Sequence, residues 1–260
     1  MPDAATNSAA TVDLGQIAIF YFALGCYATA LLAALARSGA SRWLLGVGVL
    51  AHLGATTARG LSIEFFPLTN KFESFSAAAL AVALVALVSW RSARLYIVPL
   101  LLLACAALAV ALRFPVELSY PPPLMRTIWY PLHVPLSFVA YALWAAAAAA
   151  GFAWLHERDS AWLARIDRLA LQGFALWSLS MVCGGFWGVV AWGAYFMWDV
   201  KIIWSVILWF HYASFVHLRL TPSLAPHPWI RPALAILGLL WVMVAYVGTS
   251  FFFGKSSHAF

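Results

Sequence analysis

Histidines, one arginine and a dense run of indoles are the residues of this chain whose types and spacing can do chemistry. His52 lies in the apolar run GVLAHLGA and His217 in YASFVHLRL. An ionisable side chain inside an apolar segment is costly enough that a functional role is the default expectation. His133 opens one apolar run and His258 follows the last. Neutral imidazole is a ligand of haem iron, so two histidines converging on an aromatic-lined site could form an axial pair. Arg59 follows His52 by seven residues, about 10 Å along one helix face. That is the separation between an axial ligand and a salt bridge to a propionate of the same macrocycle. The structural alternatives are a hydrogen bond to a neighbouring helix for His52 and His217, and solvation for His133, His258 and Arg59. His211 is six residues before His217, hence on another helix face, and is read as a hydrogen-bond donor within the bundle. His156 and His227 fall in polar connections and are read as solvated.

The indoles concentrate in WGAYFMWDVKIIWSVILWFHYASFVH, residues 192–217. Indole and phenol rings make a broad wall that can bury a porphyrin face while their polar tips meet water or propionates. Trp192, Tyr195, Trp198 and Trp204 are the expected platform. Gly193 allows close approach, and Asp199 with Lys201 orients the loop or its ligand. An interfacial aromatic belt is the alternative, but a belt scatters its tryptophans around both rims. Neither HExxH nor CxxCH occurs, and Cys26, Cys105 and Cys183 stand apart, so protease, c-type cytochrome and thiol chemistry are poor readings.

The elements that must position these residues are membrane helices. The chain has 260 residues, 65% hydrophobic and 9% charged, against about 25% charged in a soluble domain. Apolar runs of spanning length fall at about 14–36, 43–60, 74–90, 94–112, 132–155, 172–191, 203–219 and 231–249. The fold class expected is therefore an all-α polytopic integral membrane protein, a bundle of about eight transmembrane helices forming a single domain over residues 1–260, with a Trp-rich external loop. The net charge of +6 is sorted by side of the membrane rather than read as a nucleic-acid surface. Arg37, Arg42, Arg91, Arg94, Arg158, Arg165, Arg168, Arg219 and Arg231 occupy alternate connections and are assigned to the cytoplasm. Both termini and the tryptophan loop are then external, and no leader is expected ahead of the first span. The remaining connections are short except 59–73, 113–132 and 156–171, the last one inside. Asn70 and Glu73 have capping-box spacing, and the alanines 145–150 are read as close helix packing.

The segment 187–204 resembles the tryptophan-rich WWD segment of haem-handling membrane proteins, close to WGxYWxWDPKETW. In order along the chain, AHLGATTARG with NKFESF, LHVPLSFVAYAL, FVHLRL and GKSSHAF resemble further conserved stretches of the CcsA/ResC-type cytochrome c biogenesis proteins of System II. Phe196, Val200 and Ile202 depart from the usual Trp, Pro and Glu. The HVP and WDxKxxxS patterns lean toward the related CcmC proteins of System I, whereas eight spans and a terminal histidine favour the CcsA type.

The resemblance implies a haem-handling subunit of a cytochrome c haem lyase rather than a self-sufficient enzyme, in the bacterial cytoplasmic membrane or a thylakoid-type membrane. It implies one or two non-covalent haem b groups: an external one on His133 and His258, and a transmembrane one on His52 and His217. Trp192, Gly193, Tyr195, Trp198, Asp199, Lys201, Trp204, Arg59 and Arg126 would contact it. The implied partners are a ResB/CcsB-type membrane protein and an apocytochrome c bearing CxxCH, within the lipid bilayer. A haem b electron-transfer subunit and a haem-free HemX-like scaffold stay open beside this reading.

Overall fold

The computed structural model describes residues 14–221, 223 and 227–251. Eight helices among them are long and apolar enough to cross a membrane, and no strand occurs among the described residues. They are α1 (Leu14–Leu35), α2 (Ser41–Ile63), α3 (Lys71–Val88), α4 (Arg94–Ala111), α5 (Trp129–Glu157), α6 (Ser160–Trp192), α7 (Val200–Leu220) and α8 (Ile230–Met243). The last continues through a π turn, Val244–Gly248, and a final turn, Thr249–Phe251. Helices pair their backbone groups internally, as a bilayer requires; Pro99 in α4 and Pro135 in α5 interrupt that ladder because proline has no N–H.

The chain passes up and down through the bundle. The starts of α1, α3, α5 and α7 therefore share one membrane face with the ends of α2, α4, α6 and α8. Contacts at that face join them: Gln16 Nε2 to Ser62 Oγ at 3.5 Å, Lys71 Nζ to the Ser250 carbonyl at 3.5 Å, and Trp187 Nε1 to the Leu124 carbonyl at 2.8 Å. On the opposite face Arg231 Nε lies 3.1 Å from both carboxylate oxygens of Asp167 and ties α8 to α6.

Helix α5 is the axis of the bundle, packed against α3, α4, α6 and α8. Ala145–Ala150 are all buried, so the alanine run lets neighbouring backbones approach closely, as read from the sequence. Gly173 on α6 makes room for the Trp144 indole, whose Nε1 donates to the Ala170 carbonyl at 3.2 Å. The Trp144 ring stacks on Tyr212 of α7 at 3.7 Å and 1°. His211 Nε2 donates to the Leu234 carbonyl at 2.9 Å, the bundle hydrogen bond expected of it.

Two sequence expectations are corrected. The 156–171 segment is not a loop, because α6 begins at Ser160 and only Arg158 and Asp159 separate it from α5. Arg158 closes α5 in the left-handed region (φ 57°), and the Asp159 side chain caps α6 by accepting from Ala161 N at 2.9 Å. These local signals start the helix before hydropathy rises. The capping box at Asn70 is half formed: Asn70 Oδ1 accepts from Glu73 N at 2.9 Å. The Glu73 carboxylate instead accepts from Thr69 N (2.8 Å), Thr69 Oγ1 (2.9 Å) and Arg59.

Candidate functional site

At the membrane face that carries the α6–α7 connection, the adjoining halves of α3, α5, α6, α7 and α8 separate around a cavity of about 430 Å³. That volume lies within the range of cofactor and small-molecule sites. Aromatic rings from four helices stand in its wall: Phe75 from α3, Tyr130, Phe138 and Tyr141 from α5, Trp177, Trp187 and Trp192 from α6, and Tyr246 from α8. Ala194, Tyr195, Phe196 and Met197 of the connection close it at the surface.

His133 stands in this wall in the second turn of α5. Its Nδ1 lies 2.8 Å from the Ser180 carbonyl, which can only accept, so Nδ1 carries the proton. The ring orientation is fixed further by a serine pair. Ser180 Oγ also lies 3.0 Å from Nδ1, and the Ser137 and Ser180 hydroxyls, 2.7 Å apart, lie 3.0 and 2.9 Å from the His133 carbonyl, so one donates to that carbonyl and the other to its partner hydroxyl. This leaves the Nε2 lone pair as the available donor to a metal, the arrangement in which an imidazole is oriented and made more basic by its other nitrogen. A Cβ at Gly184 would stand 2.8 Å from both Cε1 and Nδ1 of His133, so the imidazole occupies space that only glycine leaves open. Trp187 lies nearly parallel to the imidazole at 6.4 Å and 15°.

Tyr246 belongs to the π turn of α8. One extra residue per turn re-aims side chains, and here it accompanies a Tyr246 ring that lies 4.9 Å from Phe75 and 5.5 Å from Phe138. Its hydroxyl meets Ser74 Oγ at 2.8 Å and ties α8 to α3 at the cavity.

The tryptophan-rich connection contributes less than its composition suggests. Trp192, Tyr195 and Lys201 line the cavity. Trp198 is 86% exposed outside it, and Trp204 packs on Trp241 at 5.6 Å. Neither lines this cavity. Gly193 closes α6 with φ 74°, donating its N–H to the Val189 carbonyl at 3.0 Å, while a Cβ there would meet nothing. It supplies the left-handed helix end. Asp199 caps α7 by accepting from Lys201 N at 2.8 Å.

The expected propionate partners lie elsewhere. Arg59 is buried, and its guanidinium reaches Glu73 Oε1 (2.9 and 3.1 Å) and the carbonyls of Val116 (2.8 Å) and Glu117 (3.2 Å). A buried carboxylate holds this charge, and its place is between the end of α2 and the start of α3. Arg126 is exposed, donates to the Pro121 carbonyl at 3.2 Å and borders a separate hollow with Glu64 and Tyr120.

His52 is fully buried, with Nδ1 3.1 Å from Tyr27 Oη and Nε2 2.7 Å from Ser76 Oγ. Both ring nitrogens are thus engaged by α1 and α3. His217 is exposed in the last turn of α7, a helix packed on α6 and α8. The two histidines are not brought together. His258 lies outside the described residues.

Sequence reasoning passed over Tyr130, Phe138, Tyr141, Trp177, Tyr246 and Lys71. They are separated along the chain, and no local spacing marks them as neighbours. Gly184 carried a signal, in the cluster Gly184, Gly185 and Gly188, but helix packing and ligand space read alike there.

The fold and site define a polytopic helical membrane protein with an aromatic cavity at one membrane face and an oriented, metal-competent histidine in its wall. The family model for Cytochrome C assembly protein matches residues 43–254. The chain belongs to that family. It is 38% identical over 103 residues to the cytochrome c biogenesis protein CcsA of Porphyra purpurea, which covers 38% of this chain and 31% of that protein. It is 27% identical over 260 residues to CcsA of Synechococcus sp. (strain CC9605), covering 82% and 84%. Among solved structures, Cytochrome c Heme Lyase CcmF superposes with a TM-score of 0.69 at 20% identity, over 89% of this chain and 45% of that chain. The likeness to that structure is one of fold. The alignment thus spans about a third of the Porphyra protein and less than half of CcmF.

Proposed function

We propose that this protein takes part in cytochrome c maturation by holding non-covalent haem b in the cavity between α3, α5, α6, α7 and α8 and presenting it to an apocytochrome c. The observation that carries the reading is the His133 imidazole, with Nδ1 tied to the Ser180 carbonyl at 2.8 Å and Nε2 left for iron, in a wall of aromatic rings. Family membership supports the pathway, and the chemistry of the cavity supports the ligand. An aromatic wall buries a porphyrin face, and a neutral imidazole with a fixed tautomer is a haem-iron ligand.

His258 is the proposed second axial ligand. It follows Phe251 by seven residues, and seven residues reach at most about 25 Å. Displacement of one axial histidine by the histidine of a CxxCH segment would hand the iron to the apocytochrome. The bound haem would supply the vinyl groups to which the cysteine thiols of the other chain add as thioethers, while this chain would bind and orient it through His133 and the aromatic wall and exclude water. The cavity-bearing face and both termini are proposed to be external, and a ResB/CcsB-type membrane protein is the proposed partner.

The test is a reduced-minus-oxidised spectrum with a pyridine haemochrome assay on the detergent-purified protein and on His133→Ala. Wild type is expected to carry b-type haem, and the variant to lose most of it. An unchanged spectrum in His133→Ala would overturn the assignment of the ligand. A haem-free wild type under haem-replete expression would overturn the haem reading altogether.

A further inference from the structure

We propose that Lys71 and Lys201 form a two-point clamp for the two carboxylates of a flat dianionic ligand, which are the propionates of haem. The identity of the ligand rests on the reading above, and the clamp itself rests on four observations.

First, both lysines line the His133 cavity, and among the described residues no aspartate or glutamate lines it; Asp199, the cap of α7, attracts Lys201 from outside that lining. Second, the ion pairs among the described residues are Arg59 with Glu73 and Arg231 with Asp167, so neither ammonium has a carboxylate within 4.0 Å. Lys71 Nζ has only a long contact to the Ser250 carbonyl at 3.5 Å and lies 5.9 Å from the Phe114 and Phe251 ring centroids, at the cavity mouth. Third, the lysines come from α3 and α7, helices that do not pack on each other, so the charges enter from separate walls.

Fourth, both stand where helix electrostatics disfavours them. Lys71 is the first residue of α3 and Lys201 the second of α7, at the positive ends of the two macrodipoles. Asn70 and Asp199 already cap those helices, so the lysines serve no capping purpose. Two cations that repel each other at two positive helix ends, around a cavity that no carboxylate of the described residues lines, raise the local potential, and Asp199 offsets it in part at Lys201. Such a field is complementary to a ligand with two negative groups. It also accounts for what Arg59 and Arg126 do not supply.

The experiment compares haem with haem dimethyl ester, in which both propionates are neutral, by Soret titration of the detergent-solubilised full chain at low ionic strength. Wild type is expected to bind haem about 100-fold more tightly than the ester, roughly tenfold for each charge-assisted contact. Lys71→Gln and Lys201→Gln should each lose about tenfold on haem and nothing on the ester, and Lys71→Arg and Lys201→Arg should keep the preference. Equal binding of haem and ester by wild type would overturn the clamp while leaving the haem site standing. Losses equal for both ligands in the Gln variants would reassign the lysines to packing. No Soret change with either ligand would remove the haem reading and the clamp together.

Discussion

Gly184→Ala is the most demanding perturbation of the site, because it adds one methyl group and aims it at one bond. The new Cβ would stand 2.8 Å from Cε1 and Nδ1 of His133, where contacting carbons rest at about 3.5–4.0 Å. The backbone of α6 is held by its own hydrogen bonds, so the imidazole has to move by about 1 Å. A shift of that size takes the 2.8 Å contact between Nδ1 and the Ser180 carbonyl out of hydrogen-bond range. The lost bond costs about 1 kcal/mol, and the overlap adds about 1–3 kcal/mol. Haem affinity should fall by about tenfold to hundredfold, equivalent to roughly 1.4–2.8 kcal/mol. The assay is Soret titration of the purified protein, with intrinsic-fluorescence melting to follow stability. Gly185→Ala is the internal control. It lines the same cavity from the next residue, but its Cβ would meet Tyr195 at 3.7 and 3.8 Å, an ordinary contact. It should bind haem normally and gain up to about 1 kcal/mol from helix propensity. Gly184→Ala protein with wild-type haem affinity and spectrum would refute the reasoning that the imidazole is held for the ligand.

Arg59→Met strands the buried Glu73 carboxylate and should destabilise the protein by about 3–5 kcal/mol, seen as a lower melting temperature, while the folded fraction keeps its haem affinity. His52→Ala leaves the buried hydroxyls of Tyr27 and Ser76 without their partner and should cost about 2–4 kcal/mol. Its haem content should be unchanged, whereas loss of one haem per chain would restore His52 as a ligand. Trp198→Ala removes an indole that is 86% exposed and should change neither haem affinity nor stability by more than about 0.5 kcal/mol. Trp187→Ala opens the wall beside His133 and should cost about 3–5 kcal/mol together with most of the bound haem, as read by haemochrome content against melting temperature.

The candidate site was partly legible in the chain and partly hidden. His133 could be singled out because a histidine opening a spanning segment, in a chain with so few polar residues, is conspicuous. Trp192, Tyr195 and Lys201 could be found because they are close together in one segment. Trp198 and Trp204 have the same composition and proximity, yet one faces outward and the other packs on Trp241. Side-chain direction in a connection depends on the caps at its ends, here Gly193 and Asp199. Arg59 fitted a helical ruler from His52, but a ruler along one helix says nothing of a carboxylate on the next, and Glu73 took the charge.

What the sequence by itself determined is the membrane class, the eight spans and the membership of His133 and the tryptophan segment in one face of the bundle. These follow from hydropathy, span length and alternation, which are local or additive along the chain. Only the tertiary structure decided which polar groups meet. It paired His52 with Tyr27 and Ser76, Arg59 with Glu73, and His133 with Ser180, and it gathered aromatic residues from four helices around one cavity. In a bilayer the apolar positions are nearly equivalent to one another. Helix order and rotation are therefore set by small-residue contacts and by the few buried polar pairs, and those pairs exist only once the helices are assembled.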